Sequence, residues 1–497
     1  MATEERKVRD FGLIFYLWFI LVIAAYGFGI YSIWQLTGAH PELMEWVVSK
    51  FGQAYTYVQD YIWWAVLVVA VLFVAGILIA YFEVWMMSYL GAEIVNSVIF
   101  GVPLLLLGAG IYAIIKVPEI WIGIVILAPA VFLLFIILLL ARRVILGAKI
   151  FEMSNEAVNE EKGTLGPVFF FAITSVITII TGVAGSIYAG SNLDEWLTSI
   201  GKTANWIEYL VFFIIIYVYL AIHWTMLYFS DAVNICIFKR WNNYKDASIR
   251  IAIREIWKVK GSIVLFGMFM AFFDAIIKTI QYFAKKQWFA KWKKSKAWTT
   301  TMKVLTIIFI VFIWILRWLF KILKFLNYYT LTIIVVEKQG FIRSIARSAD
   351  LSVDSAADII IGKAGVNIAK GLFTFMTFGI FSTGGFFLGY YWLAGLFDIQ
   401  VGTIGGISYQ VLFSLAVAAV FFFFGYLPTT AILRPISTAY KTILFFNIVD
   451  PFRDRPGRKT RVSGDVQRSL DKVKEDVMLT YDKEERPTWA KPVEAET

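Results

Sequence analysis

The feature that most constrains this chain is a succession of unbroken apolar runs, each at least about twenty residues long, separated by short charged punctuation. A helix of about 20 apolar residues spans a hydrocarbon core of about 30 Å and satisfies its own backbone N–H and C=O groups, which lipid cannot do. The runs fall at roughly 11–36, 61–82, 92–115, 120–141, 166–190, 206–236, 261–284, 302–336, 365–395 and 408–436. Charged residues make up 16% of the chain, where soluble domains carry about 25%. A soluble enzyme, a disordered chain and a secreted disulfide scaffold are therefore excluded. A β-barrel is disfavoured because its strands are short and alternate apolar with polar. The sequence predicts an all-α, polytopic integral membrane protein with about ten transmembrane helices.

Loop charge orients the spans. With the N-terminal tail (1–10) cytoplasmic, the segments Arg142–Thr164, Lys239–Lys260, Lys338–Lys363 and Asn447–Arg461 fall inside with four, seven, four and five basic residues. The opposite loops at 37–60, 116–119 and 190–204 hold one each, and 396–407 holds none. This is a positive-inside pattern, and it places both termini in the cytoplasm. Three domains are expected: the N-tail, a transmembrane body over 11–446 with amphipathic cytoplasmic segments at 142–164 and 239–260, and a charged C-tail over 447–497. One loop disagrees. Lys285–Lys303 carries seven lysines yet counts as external. Either 261–336 crosses twice, or it forms a membrane-dipping helical hairpin, leaving eight spans.

Several segments carry a family resemblance. They are Arg142–Glu160 (RRVILGAKIFEMSNEAVNE), Ser248–Phe266 (SIRIAIREIWKVKGSIVLF), Lys321–Leu351 (KILKFLNYYTLTIIVVEKQGFIRSIARSADL) and Tyr440–Pro456 (YKTILFFNIVDPFRDRP). In this order they resemble the choline transporter-like family. The third is the closest, matching a K-F-L-N motif, an apolar run, a glycine and an S-A-R-x-A pattern. The resemblance implies a plasma- or organelle-membrane transporter of choline or ethanolamine with about ten spans and both termini inside, and the cell membrane is the location expected. The long external loop of the family's animal members is about 24 residues here. Their cysteine-rich stretch is replaced by lysine and tryptophan, including Trp288, Trp292 and Trp298.

A choline-like cation is held by the faces of aromatic rings, aided by a carboxylate. Rings abound, but Trp and Tyr also belt membrane interfaces. Ionisable groups inside apolar runs are more telling, because charge at membrane depth is costly. Glu83 ends the second run beside Trp85, and the alternative is a place at the interface. The sixth run holds Tyr219, His223, Trp224, Tyr228 and Asp231. Helical spacing lets Trp224, Tyr228 and Asp231 share a face, unless Asp231 is simply solvated at the cytoplasmic end. Asp274 lies inside the seventh run, four residues from Lys278, with which it can pair. These eight residues (Glu83, Trp85, Tyr219, His223, Trp224, Tyr228, Asp231 and Asp274) are the candidate substrate contacts.

Catalysis has little to work with. Cys236 is the lone cysteine, and His40 and His223 are the two histidines. No P-loop, dinucleotide, zinc-protease or nucleophile-elbow motif is present. No cofactor, metal or nucleic acid is expected. The expected partners are membrane lipids and a small cationic substrate, with a protein docking on the Lys/Trp segment 285–303. Two rival functions are a non-transporting membrane scaffold or complex subunit, and, last, an intramembrane lipid enzyme.

Overall fold

The computed structural model describes residues 12–39, 41–116, 120–139, 141–199, 205–243, 245–292, 300–394, 403–404 and 407–449. The tails, the loop core at 293–299 and the side chains of the Lys/Trp segment 285–303 lie outside the described residues.

In chain order the helices are α1 (Gly12–Ala39), α2 (Pro41–Lys116), α3 (Ile120–Leu139), α4 (Ala141–Glu160), α5 (Leu165–Ser199), α6 (Asn205–Asn242), α7 (Ile249–Ile256), α8 (Lys260–Trp292), α9 (Thr300–Leu326), α10 (Thr330–Glu337), α11 (Phe341–Asp354), α12 (Ala356–Leu388) and α13 (Tyr409–Val449). A 3-10 turn, Trp257–Val259, joins α7 to α8, and a π turn, Gly389–Leu393, extends α12. Two antiparallel two-residue strands, β1 (Thr403–Ile404) and β2 (Ile407–Ser408), precede α13.

Six helical stretches among the described residues are long and apolar enough to cross a membrane: Gly12–Gln35, Val74–Lys116, Lys162–Ala189, Leu210–Asn242, Ile249–Gln281 and Val311–Glu337. Their outer faces carry bare apolar side chains such as Leu17, Ile20 and Ile23 on α1 and Ile173, Val176 and Ile180 on α5. A continuous exposed face of this kind suits lipid rather than water, and the protein is an integral membrane protein. The expected ten is not reached by this measure, and one reason is specific. The runs at 61–82 and 92–115 belong to one 76-residue helix, α2. Hydropathy dips over Glu83–Gly91, but that stretch has no proline and one glycine, so nothing breaks the backbone hydrogen-bond ladder.

The chain divides into two compact units. The first comprises residues 1–57, 169–236 and 249–354; the second comprises 58–168, 237–248 and 355–497. In the first, α1 contributes Phe15, Trp18, Val22 and Ala25, spaced three or four apart, to a core with Tyr219 and Ile222 of α6 and Val264 of α8. Hydrogen bonds and close approaches lock these helices. Tyr219 donates its hydroxyl to the Ala25 carbonyl at 2.7 Å, and Tyr26 and Thr178 share a hydroxyl hydrogen bond at 2.7 Å. A Cβ on Gly267 would collide with Thr225, whose Cα lies 2.7 Å away, so α8 meets α6 backbone to backbone there.

The K-F-L-N motif is a helix break. Between α9 and α10 the backbone loses regular partners, and Ser348 of α11 replaces them. Its hydroxyl donates to the Leu326 carbonyl at 2.8 Å and accepts the Tyr329 N–H at 3.0 Å. Arg347, its neighbour, pairs with Glu337 at 2.8 Å. Ser348, at the variable position of the S-A-R-x-A pattern, thus holds the backbone of the preceding motif in place, as freed backbone groups away from water require, while Arg347 ties α11 to the end of α10 through a side-chain pair.

In the second unit α12 and α13 pack together, and α4 lies against both. Gly385 faces Phe421, whose Cβ sits 2.7 Å from where a Cβ would be added. Gly379 and Gly384, in contrast, face open space. Against α2, the ring of Phe151 and the backbone of Glu152 on α4 cross at Gly91, 3.4 and 3.6 Å from an added Cβ. There the Ala92 N–H donates to Glu152 at 3.3 Å. Burial pushes the Glu152 carboxyl above its usual range, against the pull of that hydrogen bond and of Lys149.

Candidate functional site

The eight candidate residues divide between the two units. Tyr219, His223, Trp224, Tyr228, Asp231 and Asp274 belong to the first; Glu83 and Trp85 belong to the second.

In the first unit α6 presents successive residues in different directions, about 100° apart per residue. Tyr219 points into the core and is spent on the α1 backbone. His223 is half-buried, shares a 3.1 Å hydrogen bond between Nδ1 and the Ser175 hydroxyl, and lies 5.4 Å from the Phe171 ring. Trp224 and Tyr228, one turn apart, stack obliquely at 5.6 Å. Tyr228 then stacks on Phe266 of α8 at 4.5 Å. Asp231 is half-buried and engaged with neighbours.

Trp224 is the centre of this group. Its indole N–H donates to the Asp274 carboxylate of α8 at 3.2 Å. Asp274, 17% exposed, also pairs with Lys278 at 3.1 Å, the i,i+4 pairing that its spacing predicts. The Lys324 ammonium of α9 lies 5.0 Å from the Trp224 ring centre and 4.3 Å from that of Phe320. Phe273 stacks on Phe320 at 6.5 Å and so links α8 to α9. One indole therefore meets an anion at its N–H edge and a cation near its ring. The two contacts reinforce each other: a carboxylate on the N–H enriches the ring's π density, and a richer face holds a cation more strongly.

The structure thus brings together Trp224, Tyr228 and Asp274 of the expected set. It adds Phe266, Phe273, Phe320 and Lys324. Lys324 interrupts an apolar run, which is a visible signal, but its partner is 100 positions away in sequence.

In the second unit Glu83 is 1% exposed. The Thr377 hydroxyl of α12 donates to its Oε1 at 3.4 Å, and its Oε2 has no partner among the described residues. Trp85, two residues on, is 50% exposed and lies between the rings of Phe82 and Tyr89 at 5.9 and 5.6 Å. Glu83 and Trp85 face different surroundings, as a 200° rotation about a helix dictates, so Trp85 supplies no ring to the Glu83 carboxylate.

The sequence profile of a family described as plasma-membrane choline transporter matches residues 124–451. The match takes in Tyr219 to Asp274 and Lys324. No curated protein matches the chain.

Proposed function

The chain belongs to the plasma-membrane choline transporter family, and from that premise we propose that it carries a small organic cation, such as choline or ethanolamine, across the cell membrane. The substrate's ammonium group is held by the rings of Trp224 and Phe320, with Asp274 behind the indole. One observation carries the reading: the chain's own Lys324 ammonium already lies against those two rings. A surface that binds a tethered alkylammonium has the chemistry for a free one. Ring faces ask for no hydrogen-bond donor, so they suit a quaternary group as well as a primary one. Transport then begins when the substrate displaces Lys324 from the ring pair. Both termini lie in the cytoplasm, and movement follows alternating access or facilitated diffusion. The protein acts as a carrier and makes or breaks no covalent bond.

Proteoliposomes with the purified chain and a concentration gradient of radiolabelled choline or ethanolamine test this. Wild-type protein gives saturable uptake. Asp274→Asn and Trp224→Leu each lower uptake at limiting substrate by roughly ten-fold or more, the scale of one charge-assisted contact, while size-exclusion profiles stay unchanged. Folded variants that transport like wild type would falsify this location of the site. Absence of flux in wild type across a panel of organic cations sinks the carrier reading. It would favour the scaffold alternative, in which the Asp274–Lys278 pair is structural.

A further inference from the structure

We infer that α7 and the turn that follows it form a docking site for the phosphate headgroup of an acidic phospholipid. Arg250, Arg254 and Lys258 recur every fourth residue, so they form one stripe along the helix and into its 3-10 turn. Ile253 and Trp257 form a parallel stripe and are 45% and 51% exposed. These five side chains line an open hollow of about 570 Å³. The opposite face, Ala252, Ile256 and Val259, is buried in the unit. The outward face is therefore neither a packing surface nor an ordinary solvated one, since it sets two large apolar groups beside three cations. A helix of this make lies in the membrane interface, with its apolar groups at the acyl boundary and its cations at phosphate level.

Three further observations point to an acidic lipid as the occupant. Among the described residues none of Arg250, Arg254 and Lys258 makes an ion pair or side-chain hydrogen bond, so no described carboxylate answers their charge. The turn leads directly into α8, the apolar part of the membrane-crossing stretch Ile249–Gln281, so the hollow opens where a span begins. Trp257 also joins the hollow to the body of the unit. Its ring lies 4.7 Å from the buried Lys260 ammonium, which also sits 4.8 Å from the Phe15 ring and 4.6 Å from the Tyr16 ring of α1. Lys260 donates a hydrogen bond to the Tyr16 hydroxyl at 3.3 Å. A headgroup in the hollow thus rests on the ring that completes the Lys260 cage, and its binding is linked to how firmly α1 is held.

Thermal unfolding of the full-length protein in a neutral detergent tests the inference. The protein is titrated in separate arms with phosphatidylglycerol, phosphatidylcholine and inorganic phosphate. Phosphatidylglycerol is expected to raise the unfolding temperature saturably, while the other two leave it unchanged. Each of R250Q, R254Q and K258Q weakens the half-saturating concentration by about five-fold, the scale for one basic residue at an anionic surface. The control K162Q/R343Q removes two exposed cations elsewhere and leaves the titration as in wild type. Equal weakening by that control overturns the inference, because the attraction is then a general property of a basic protein. So does a full response in the R250Q/R254Q/K258Q triple variant, or an equal response to inorganic phosphate. The readout contains no transported substrate, so its failure leaves the carrier proposal standing.

Discussion

Lys324→Met isolates the claim that a tethered ammonium holds the substrate's place. Methionine keeps an unbranched apolar stem of similar reach and removes the charge. In the wild-type protein an incoming cation must first displace an ammonium 5.0 Å from the Trp224 ring and 4.3 Å from the Phe320 ring. At an exposed site each such contact is worth about 0.5–1 kcal/mol, so displacement costs about 1–2 kcal/mol. Removing that competitor should tighten the apparent Kd for choline by roughly 5- to 30-fold. Isothermal titration of the detergent-solubilised protein with choline, ethanolamine and neutral glycerol reads this directly. The two cations are expected to bind more tightly to the variant, and glycerol is expected to bind neither protein. Unchanged or weaker choline binding in a folded Lys324→Met protein refutes the reasoning, since it would make the lysine a structural clamp or a bystander. Combining the substitution with Trp224→Leu closes a double-mutant cycle. The gain from losing Lys324 should shrink once its larger ring partner is gone.

Three further outcomes concern stability. Tyr219→Phe deletes the bond to the Ala25 carbonyl and should cost about 0.6 kcal/mol, the average for membrane-helix side-chain hydrogen bonds, seen as a slightly lower unfolding temperature with uptake intact. Ser348→Ala removes the hydroxyl that accepts the Tyr329 N–H and leaves the Leu326 carbonyl with the longer 3.4 Å bond from Ser352; a loss of about 1–3 kcal/mol is expected, measured by thermal unfolding, and a neutral result would show that the break does not depend on this residue. The Glu152 carboxyl, raised by burial, binds its proton more tightly folded than unfolded. Its contribution is therefore complete below the ordinary carboxyl range and is lost as pH rises through the raised value; Glu152→Gln should flatten this part of a stability-against-pH curve, and an identical slope in the variant would count against the assignment.

Much of this was legible in residue order, and the boundary is a physical one. Run length and composition determine that a segment enters lipid as a helix, because the helix satisfies its backbone within itself and needs no distant partner. Spacing within one helix is equally local: the Asp274–Lys278 pair and the Trp224–Tyr228 stack follow from i,i+4 geometry. Hydropathy sets the runs 61–82 and 92–115 apart, whereas α2 carries both through Glu83–Gly91, where no proline breaks the helix.

Tertiary structure alone decided which residues meet across helices. In water an amphipathic stripe announces the buried face, but in lipid both faces are apolar and the stripe disappears. Choice of partner then falls to steric fit, such as Gly267 against Thr225, and to single polar contacts, such as Trp224 with Asp274. That fit seats Lys324 of α9, and with it Phe320, beside an indole one hundred residues earlier, and it buries Glu83 against Thr377 of α12, 294 residues on. The sequence determined the solvent this protein lives in and the local geometry of each helix; only packing determined which ring meets which charge.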